Sequence, residues 1–80
     1  MRISVVGALR IDVDGAAEIE IDADTIYELL SRVAEKYPAM QANIDRGIAV
    51  AINGTIFRDD WTQKILPDAD VCLLPRISGG

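Results

Sequence analysis

Residues 2–22 follow an alternation of apolar and polar side chains with a period of two. The odd positions of its first part hold apolar residues and one small glycine: Ile3, Val5, Gly7, Leu9, Ile11 and Val13. This period is typical of a strand that buries one face. The alternation resumes in residues 17–22 after Asp14-Gly15, a dipeptide typical of tight turns. The pattern therefore predicts a β-hairpin, with Gly7 marking a bend or bulge in its first strand.

The period changes after Asp24 to one that is typical of an amphipathic helix. Apolar side chains then follow at spacings of 3, 1, 3, 1 and 3, at Ile26, Leu29, Leu30, Val33, Ala34 and Tyr37. Thr25 and Glu28 have the spacing of a capping box at the start of this helix. Pro38 ends the helix, because the residue before a proline avoids the helical conformation.

The second half of the chain contains three short apolar runs that we interpret as strands. Ile48–Ile52 and Thr55–Arg58 flank Asn53-Gly54, a hairpin turn signal, and Val71–Leu74 is followed by Pro75. The resulting order is strand, strand, helix, strand, short strand, strand. This order predicts an α+β fold of the β-grasp, ubiquitin-like type, with a mixed four- to five-stranded sheet and one main helix.

Composition narrows the function classes. The 80 residues fit a single domain, and 50% hydrophobic with 26% charged residues is a globular balance. A net charge of −5 argues against nucleic-acid binding and favours partners with basic surfaces. We expect no membrane segment, because no apolar run is long enough, and a single cysteine needs no oxidising compartment. The expected location is the cytoplasm.

The chain lacks the standard catalytic groups. Without histidine it cannot form a Ser-His-Asp or Cys-His site or any histidine metal site. The lone Cys72 cannot build a thiolate metal site, and no P-loop or dinucleotide-binding motif is present. We therefore expect no metal, no bound cofactor, and no enzymatic activity without partner enzymes.

The C-terminus carries the most unusual feature of the sequence. After a domain spanning residues 1–75, residues 76–80 form a tail with the sequence Arg76, Ile77, Ser78, Gly79 and Gly80. Two final glycines give a narrow tip that can thread into a slot in another protein and present its carboxylate. The alternative is an ordinary frayed terminus, because chain ends are often small and disordered.

Taken with the predicted fold, this ending resembles the ubiquitin-like sulfur carriers, which include the small subunit of molybdopterin synthase and the thiazole-pathway sulfur carrier. Residues 73–80 resemble the Pro-Pro-Val-x-Gly-Gly ending of the molybdopterin branch, with Arg76 in place of the second proline. Two features depart from that branch. Asp68-Ala69 replaces a usual glycine-aspartate pair, and a simple hairpin at Asp14-Gly15 is expected where that branch has a Leu-Arg-Glu helical insert.

The resemblance implies a mechanism centred on Gly80. Its carboxylate would be adenylated with ATP by a ubiquitin-activating-type enzyme, and sulfur from a persulfide donor would convert it to a thiocarboxylate. The sulfur would pass to an acceptor enzyme such as the molybdopterin synthase large subunit or thiazole synthase, and the ending favours the former. A second hypothesis is a ubiquitin-like modifier, in which Gly80 forms isopeptide bonds with lysines of target proteins. A third is an interaction domain whose tail is idle.

The last strand also predicts a docking surface. If Val71 and Leu73 face the helix, Cys72 and Leu74 face the other side of the sheet, where Phe57 joins them in one possible register. An exposed apolar patch there would bind the activating enzyme beside the tail. The alternatives are a face covered by a loop and, for Cys72, a small core residue or a relay thiol.

Overall fold

The computed structural model describes residues 1–58 and 60–75, and within them five strands form one mixed sheet with the helices packed against one face. The strands are β1 (Arg2–Val5), β2 (Glu18–Glu20), β3 (Ile48–Ile52), β4 (Thr55–Phe57) and β5 (Val71–Pro75). The helices are α1 (Ile26–Lys36) and the short α2 (Gln41–Arg46), with 3₁₀ segments at Gly7–Val13 and Pro38–Met40.

The sheet has the strand order β2-β1-β5-β3-β4. β1 and β5 are parallel, whereas β1–β2, β3–β5 and β3–β4 are antiparallel. This arrangement with α1 as its main helix is the β-grasp fold, so the predicted fold class is confirmed. In the described part of the chain, no helix has the length and apolar character needed to cross a membrane.

Helix α1 begins as its sequence predicts. The Glu28 N–H donates to the Thr25 Oγ1 at 3.2 Å, and the Glu28 Oε1 accepts from the Asp24 N–H at 2.9 Å. The first two amides of the helix donate to carbonyls of Gln63 and Trp61. The helix buries its apolar stripe on the sheet, with Ile26, Leu29, Leu30 and Val33 in the core. The loop before β5 therefore closes the N-terminus of α1.

The hairpin between β3 and β4 is also confirmed. Asn53 and Gly54 have φ values of 50° and 86°, the left-handed pair that a two-residue turn of this kind needs. Ile52 and Thr55 are directly paired across this turn. The register of β4 is therefore fixed by the position of the turn.

The predicted long first strand is wrong beyond Val5. Gly7 has a φ of 65° and turns the chain out of the sheet into the 3₁₀ segment Gly7–Val13. Within this segment Leu9 and Val13 are buried, whereas Ile11 is 79% exposed. The apolar residues at odd positions therefore do not form the buried face of a strand. Only Leu9 and Val13, which are four residues apart, lie in the core. The loop between β1 and β2 thus contains a helical insert instead of a simple Asp14-Gly15 hairpin.

Candidate functional site

The tail starts from the middle of the sheet. β5 lies between β1 and β3, and Pro75 is its last residue. The predicted tail residues lie outside the described residues: Arg76, Ile77, Ser78, Gly79 and Gly80. Their roles therefore stay predictions, and the structure defines the surface from which they begin.

β1 stops pairing with β5 at Leu73, whereas β3 pairs with β5 up to its last residue, Pro75. On one side the last parallel pair is Val5 with Leu73, and the Val6 N–H donates to the Leu73 carbonyl at 3.1 Å. On the other side Pro75 pairs with Ile48, the first residue of β3. Pro75 has no N–H with which to continue the ladder toward β1. The tail thus begins where the sheet stops.

Gly7 lies near Pro75 on the side where β1 has ended. Its φ of 65° places bare backbone there, and a Cβ on Gly7 would lie 3.5 Å from the Pro75 Cγ. That distance is an ordinary van der Waals contact, so a methyl group would fill the space beside the ring. Gly7 therefore provides the turn that ends β1 and leaves a methyl-sized space beside the Pro75 ring.

One row of residues crosses the sheet on the face away from α1, which we call the outer face. The pairs Ser4–Cys72, Cys72–Ala51 and Ala51–Ile56 link four strands, and Leu74 pairs with Ala49 beside this row. Ser4, Ala51, Cys72 and Leu74 are partly exposed, and Ile56 is 53% exposed. Because Val71 and Leu73 are fully buried, the predicted orientation of β5 is confirmed. The outer face is therefore mostly apolar and leads to the tail through Leu74.

The placement of Phe57 on this face is wrong. Phe57 pairs with Val50, whose side chain lies in the core, and it packs against the core cluster. Its neighbour Ile56 pairs with Ala51 and takes the place on the outer face that was expected for Phe57. The two-residue turn at Asn53-Gly54 is the sequence signal that could have found Ile56, because it fixes which β4 residues share a face with Ala51.

Cys72 lies in the centre of the outer face as a partly buried thiol. Burial raises its pKa above the ordinary value of 9.0, and the charge of Asp70 raises it further. The thiol is therefore protonated at neutral pH, which does not favour a nucleophilic relay role. Its place between Ser4 and Ala51 makes it part of the apolar surface instead.

Charged groups lie at the β2 edge of the outer face. Glu18 and Glu20 pair with Ser4 and Arg2, and an Arg2 guanidinium nitrogen lies 3.7 Å from a Glu18 carboxylate oxygen. The Met1 ammonium donates to Glu20 at 2.9 Å and to Asp22 at 2.7 Å. Both hydrogen bonds raise the pKa of the ammonium, and the bond to Asp22 has the larger effect. In turn, the ammonium lowers the pKa of Asp22. The outer face thus has an apolar centre with carboxylates along one side.

The described residues do not bring together a catalytic set. Among them, no group of three or more metal-ligating side chains is close enough to hold a metal ion. Trp61 and Tyr37 are partly buried and pack against the core. The described residues form a sheet whose outer face is mostly apolar.

Comparison with known proteins identifies the relatives of this chain. Residues 4–80 match the ThiS family. No curated protein matches the sequence significantly. The family match therefore covers nearly the whole chain, including its last two glycines.

Three solved structures show the same fold at low sequence identity. A chain of the BexX/CysO complex from Amycolatopsis orientalis is 21% identical with a TM-score of 0.78, covering 99% of this chain and 98% of that chain. SAMP1 from Haloferax volcanii is 22% identical, with a TM-score of 0.69 and coverages of 99% and 97%. A chain of the complex of subunits 1 and 2 of the Helicobacter pylori molybdopterin-converting factor is 18% identical, with a TM-score of 0.67 and coverages of 99% and 96%.

Proposed function

Because this chain belongs to the ThiS family of ubiquitin-like sulfur carriers, we propose that it carries sulfur as a thiocarboxylate on Gly80. The observation that carries this proposal is the family match through residue 80, on a fold whose central strand leads directly into the tail. The protein would act as a carrier with partner enzymes and have no activity of its own.

The proposed chemistry has two steps at the Gly80 carboxylate. A carboxylate oxygen attacks the α-phosphorus of ATP, which forms an acyl adenylate and releases pyrophosphate. The terminal sulfur of a persulfide then attacks the acyl carbon and displaces AMP, and a thiol cleaves the resulting S–S bond to leave the thiocarboxylate. Adenylation is needed because a free carboxylate is a poor electrophile. The partner supplies positioning and electrostatic stabilisation.

The activating enzyme would bind the outer face. That face supplies apolar contacts at Ile56, Cys72 and Leu74, and the last of these lies one residue before the end of β5. The carboxylates of Glu18 and Glu20 at the β2 edge favour a partner that has basic residues facing this edge and apolar residues facing the centre of the outer face. Arg76, Ile77, Ser78 and Gly79 would then lie along the channel that leads Gly80 to ATP.

For the acceptor we favour an enzyme like the molybdopterin synthase large subunit over thiazole synthase. Two features support this choice: the Leu73–Gly80 ending and the helical insert at Gly7–Val13, which contains Leu9-Arg10. A chain of the Helicobacter pylori molybdopterin-converting factor complex has the same fold. Because the route uses ATP and a thiol that must stay reduced, the cytoplasm is the proposed compartment.

The test is the conversion of Gly80 in the presence of the ubiquitin-activating-type enzyme of the same cell. With MgATP, a persulfide donor and a thiol, intact-protein mass spectrometry should show exchange of one oxygen for one sulfur. Deleting Gly80 should abolish the exchange, because each residue contributes about 3.3–3.6 Å of reach. Appending one alanine should also abolish it. Equally fast thiolation of the extended protein, verified as unprocessed, would contradict the assignment of Gly80.

A second candidate function is conjugation of Gly80 to lysines of other proteins. The similarity to SAMP1, whose name in a related structure is small archaeal modifier protein, favours it. Both functions share the adenylation step, so the products distinguish them. An N-terminally tagged chain in native cells should give a ladder of high-mass conjugates that depends on Gly80 if it is a modifier. A carrier should give the thiocarboxylate without that ladder.

A further inference from the structure

We propose that a groove on the helix side of the sheet binds an arginine side chain of a partner protein. The groove, which we call the helix-side groove, has a volume of about 220 Å³. Pockets for small-molecule ligands are usually larger, about 300–1,000 Å³, so this groove fits one protein side chain better than a cofactor. Its lining includes Tyr27 and Leu30 of α1, Gln41, Ile44 and Asp45 of α2, and Trp61 of the loop before β5.

Two aromatic side chains contribute to the groove. The ring centroids of Tyr27 and Trp61 are 6.3 Å apart, and the ring planes are tilted by 48°. The Tyr27 N–H donates to the Trp61 carbonyl at 2.8 Å, which holds the two residues together at the start of α1. Tyr27 is nevertheless 62% exposed, and Trp61 is only partly buried. The chain has one Trp, two Tyr and one Phe, so half of its aromatic residues meet at this groove with ring surface left open.

The rest of the groove combines an apolar base with a carboxylate. Leu30 and Ile44 are buried and belong to the core. The Gln41 Nε2 donates to the Asp45 Oδ1 at 2.8 Å, one turn along α2, which orients the carboxylate. Asp45 is the only charged residue among the described residues that line the groove. The groove therefore offers aromatic faces, apolar surface and one negative charge.

This combination matches the chemistry of arginine. A guanidinium stacks on aromatic faces, its methylene stem packs on apolar surface, and its N–H groups donate to a carboxylate. Tyr37 already has a cation of this kind from its own chain, since the Lys36 Nζ lies 5.7 Å from its ring centroid. In the described part of the chain, no cation takes such a position over Tyr27 or Trp61. The net charge of −5 further favours a cationic partner.

The helix-side groove and the outer face lie on opposite sides of the sheet. Helix α1 packs its apolar stripe against the inner face together with Val71 and Leu73, whereas Cys72 and Leu74 point to the outer face. A partner that inserts an arginine between the helices can therefore bind while another protein covers the outer face. The inference thus goes beyond the proposed function, because it assigns a second binding surface with a different partner.

The test is a titration of the full chain with the tripeptide N-acetyl-Ala-Arg-Ala-amide, followed by proton–nitrogen correlation NMR at physiological ionic strength. Because the chain has one Trp, its indole N–H gives a single signal from the groove. This signal and the amide signals of Tyr27, Gln41 and Asp45 should shift in a saturable way, with a Kd in the millimolar range. The same peptide with citrulline, the neutral isostere of arginine, should bind about ten-fold more weakly. No activating enzyme is present, so failure here is distinct from failure of the proposed function.

Matched variants separate the contributions of the ring and the carboxylate. Tyr27→Leu should raise the Kd about three- to five-fold, whereas Tyr27→Phe keeps the ring face and should stay within about 1.5-fold of native. Asp45→Asn can still accept the Gln41 hydrogen bond and should raise the Kd about two- to five-fold. Asp68→Asn removes the same charge from an exposed residue outside the groove and should stay within about 1.5-fold, because salt screens distant charges.

Four results would overturn the inference. One is the lack of a saturable indole shift at about 50 mM arginine peptide, a concentration that fills a millimolar site. Another is equal binding of the citrulline peptide. A third is an equal effect of Asp45→Asn and Asp68→Asn, which would make the attraction one of net charge. The fourth is a shift of the groove signals when the chain alone is concentrated, together with a dimer in sedimentation equilibrium, because the occupant would then be a second copy.

Discussion

The outer face should supply most of the affinity for the activating enzyme, and Ile56 tests this at the end of the face remote from the tail. Fully burying an isoleucine side chain contributes about 1.5–3 kcal/mol. Ile56 is 53% exposed, so a partner that covers it gains about half of that, or about 0.8–1.5 kcal/mol. In Ile56→Asp this gain is lost, and desolvating an unpaired carboxylate costs about 1–3 kcal/mol more. The expected loss of affinity is at least about twenty-fold.

The assay is calorimetric titration of each variant into the activating enzyme in the absence of ATP. Leu66→Asp is the matched control, because Leu66 is an apolar residue that is 65% exposed. Leu66 lies beside the start of α1, since the N–H of the preceding residue, Ile65, donates to the Asp24 carbonyl. It adds the same charge away from the outer face and should bind within about two-fold of native. Leu74→Asp, at the tail end of the face, should lose affinity as Ile56→Asp does.

The reasoning fails if Ile56→Asp is folded by circular dichroism and binds with native affinity. It also fails if Leu66→Asp weakens binding as much as Ile56→Asp, because the effect would then be one of net charge. Ile56→Asp and Leu74→Asp test the two ends of the outer face separately. If only Leu74→Asp lowered the affinity, the activating enzyme would contact the face only near the end of β5.

Further predictions concern stability and titration. Thr25→Ala should destabilise the protein by about 1 kcal/mol, because it removes the N-cap of α1, and lower Tm by about 4–8 °C in thermal unfolding. Ser31→Ala, exposed in the same helix, should leave Tm within about 3 °C, and an equal fall in both variants would contradict the capping role. Iodoacetamide should alkylate Cys72 more slowly at pH 7 than free cysteine, with a rate still rising above pH 9.0, and a plateau at lower pH would refute the raised pKa. Asp22→Asn should return the pKa of the Met1 ammonium toward 8.0, measured by pH-dependent amine labelling, and an unchanged pKa would contradict this pairing. In the native chain this pair stabilises the fold between pH 3.8 and 8.0, and that stability is lost as pH falls through the lowered pKa of Asp22 or rises through the raised pKa of Met1.

The parts of the fold that depend on neighbouring residues could be predicted from the sequence. The start of α1 follows from the spacing of Thr25 and Glu28, and its end follows from Pro38. The β3–β4 turn follows from the need for positive φ at Asn53-Gly54. In each case the deciding interaction lies within four residues along the chain, so the local pattern carries the information.

The 3₁₀ segment could not be separated from a strand by periodicity. Leu9 and Val13 are four residues apart, a spacing that places residues on one face of a strand and on one side of a helical turn. The choice depends on Gly7, whose positive φ turns the chain away after Val5. Glycine adopts many conformations, so the sequence alone does not state which one it takes.

The sequence predicts the last strand and the tail of the candidate site. Which strands lie beside that strand depends on pairing between distant parts of the chain. Alternation within one strand predicts that Cys72 and Leu74 lie on the outer face. The proximity of Gly7 to Pro75 requires β1 and β5 to be neighbours and β1 to stop first. No local signal reports that arrangement, because the two residues lie at opposite ends of the sequence.

The parallel pairing of β1 with β5 makes the complete outer face depend on contacts between the two ends of the chain. Ile3 pairs with Val71, so β5 joins β1 only when nearly the whole chain has closed into one loop. An unfolded or truncated copy could display two glycines, yet it would not align Ser4, Cys72 and Ala51 in one row. An activating enzyme that reads this row together with the tail would discriminate against incompletely folded copies. ATP would then be spent only on carriers able to deliver their sulfur.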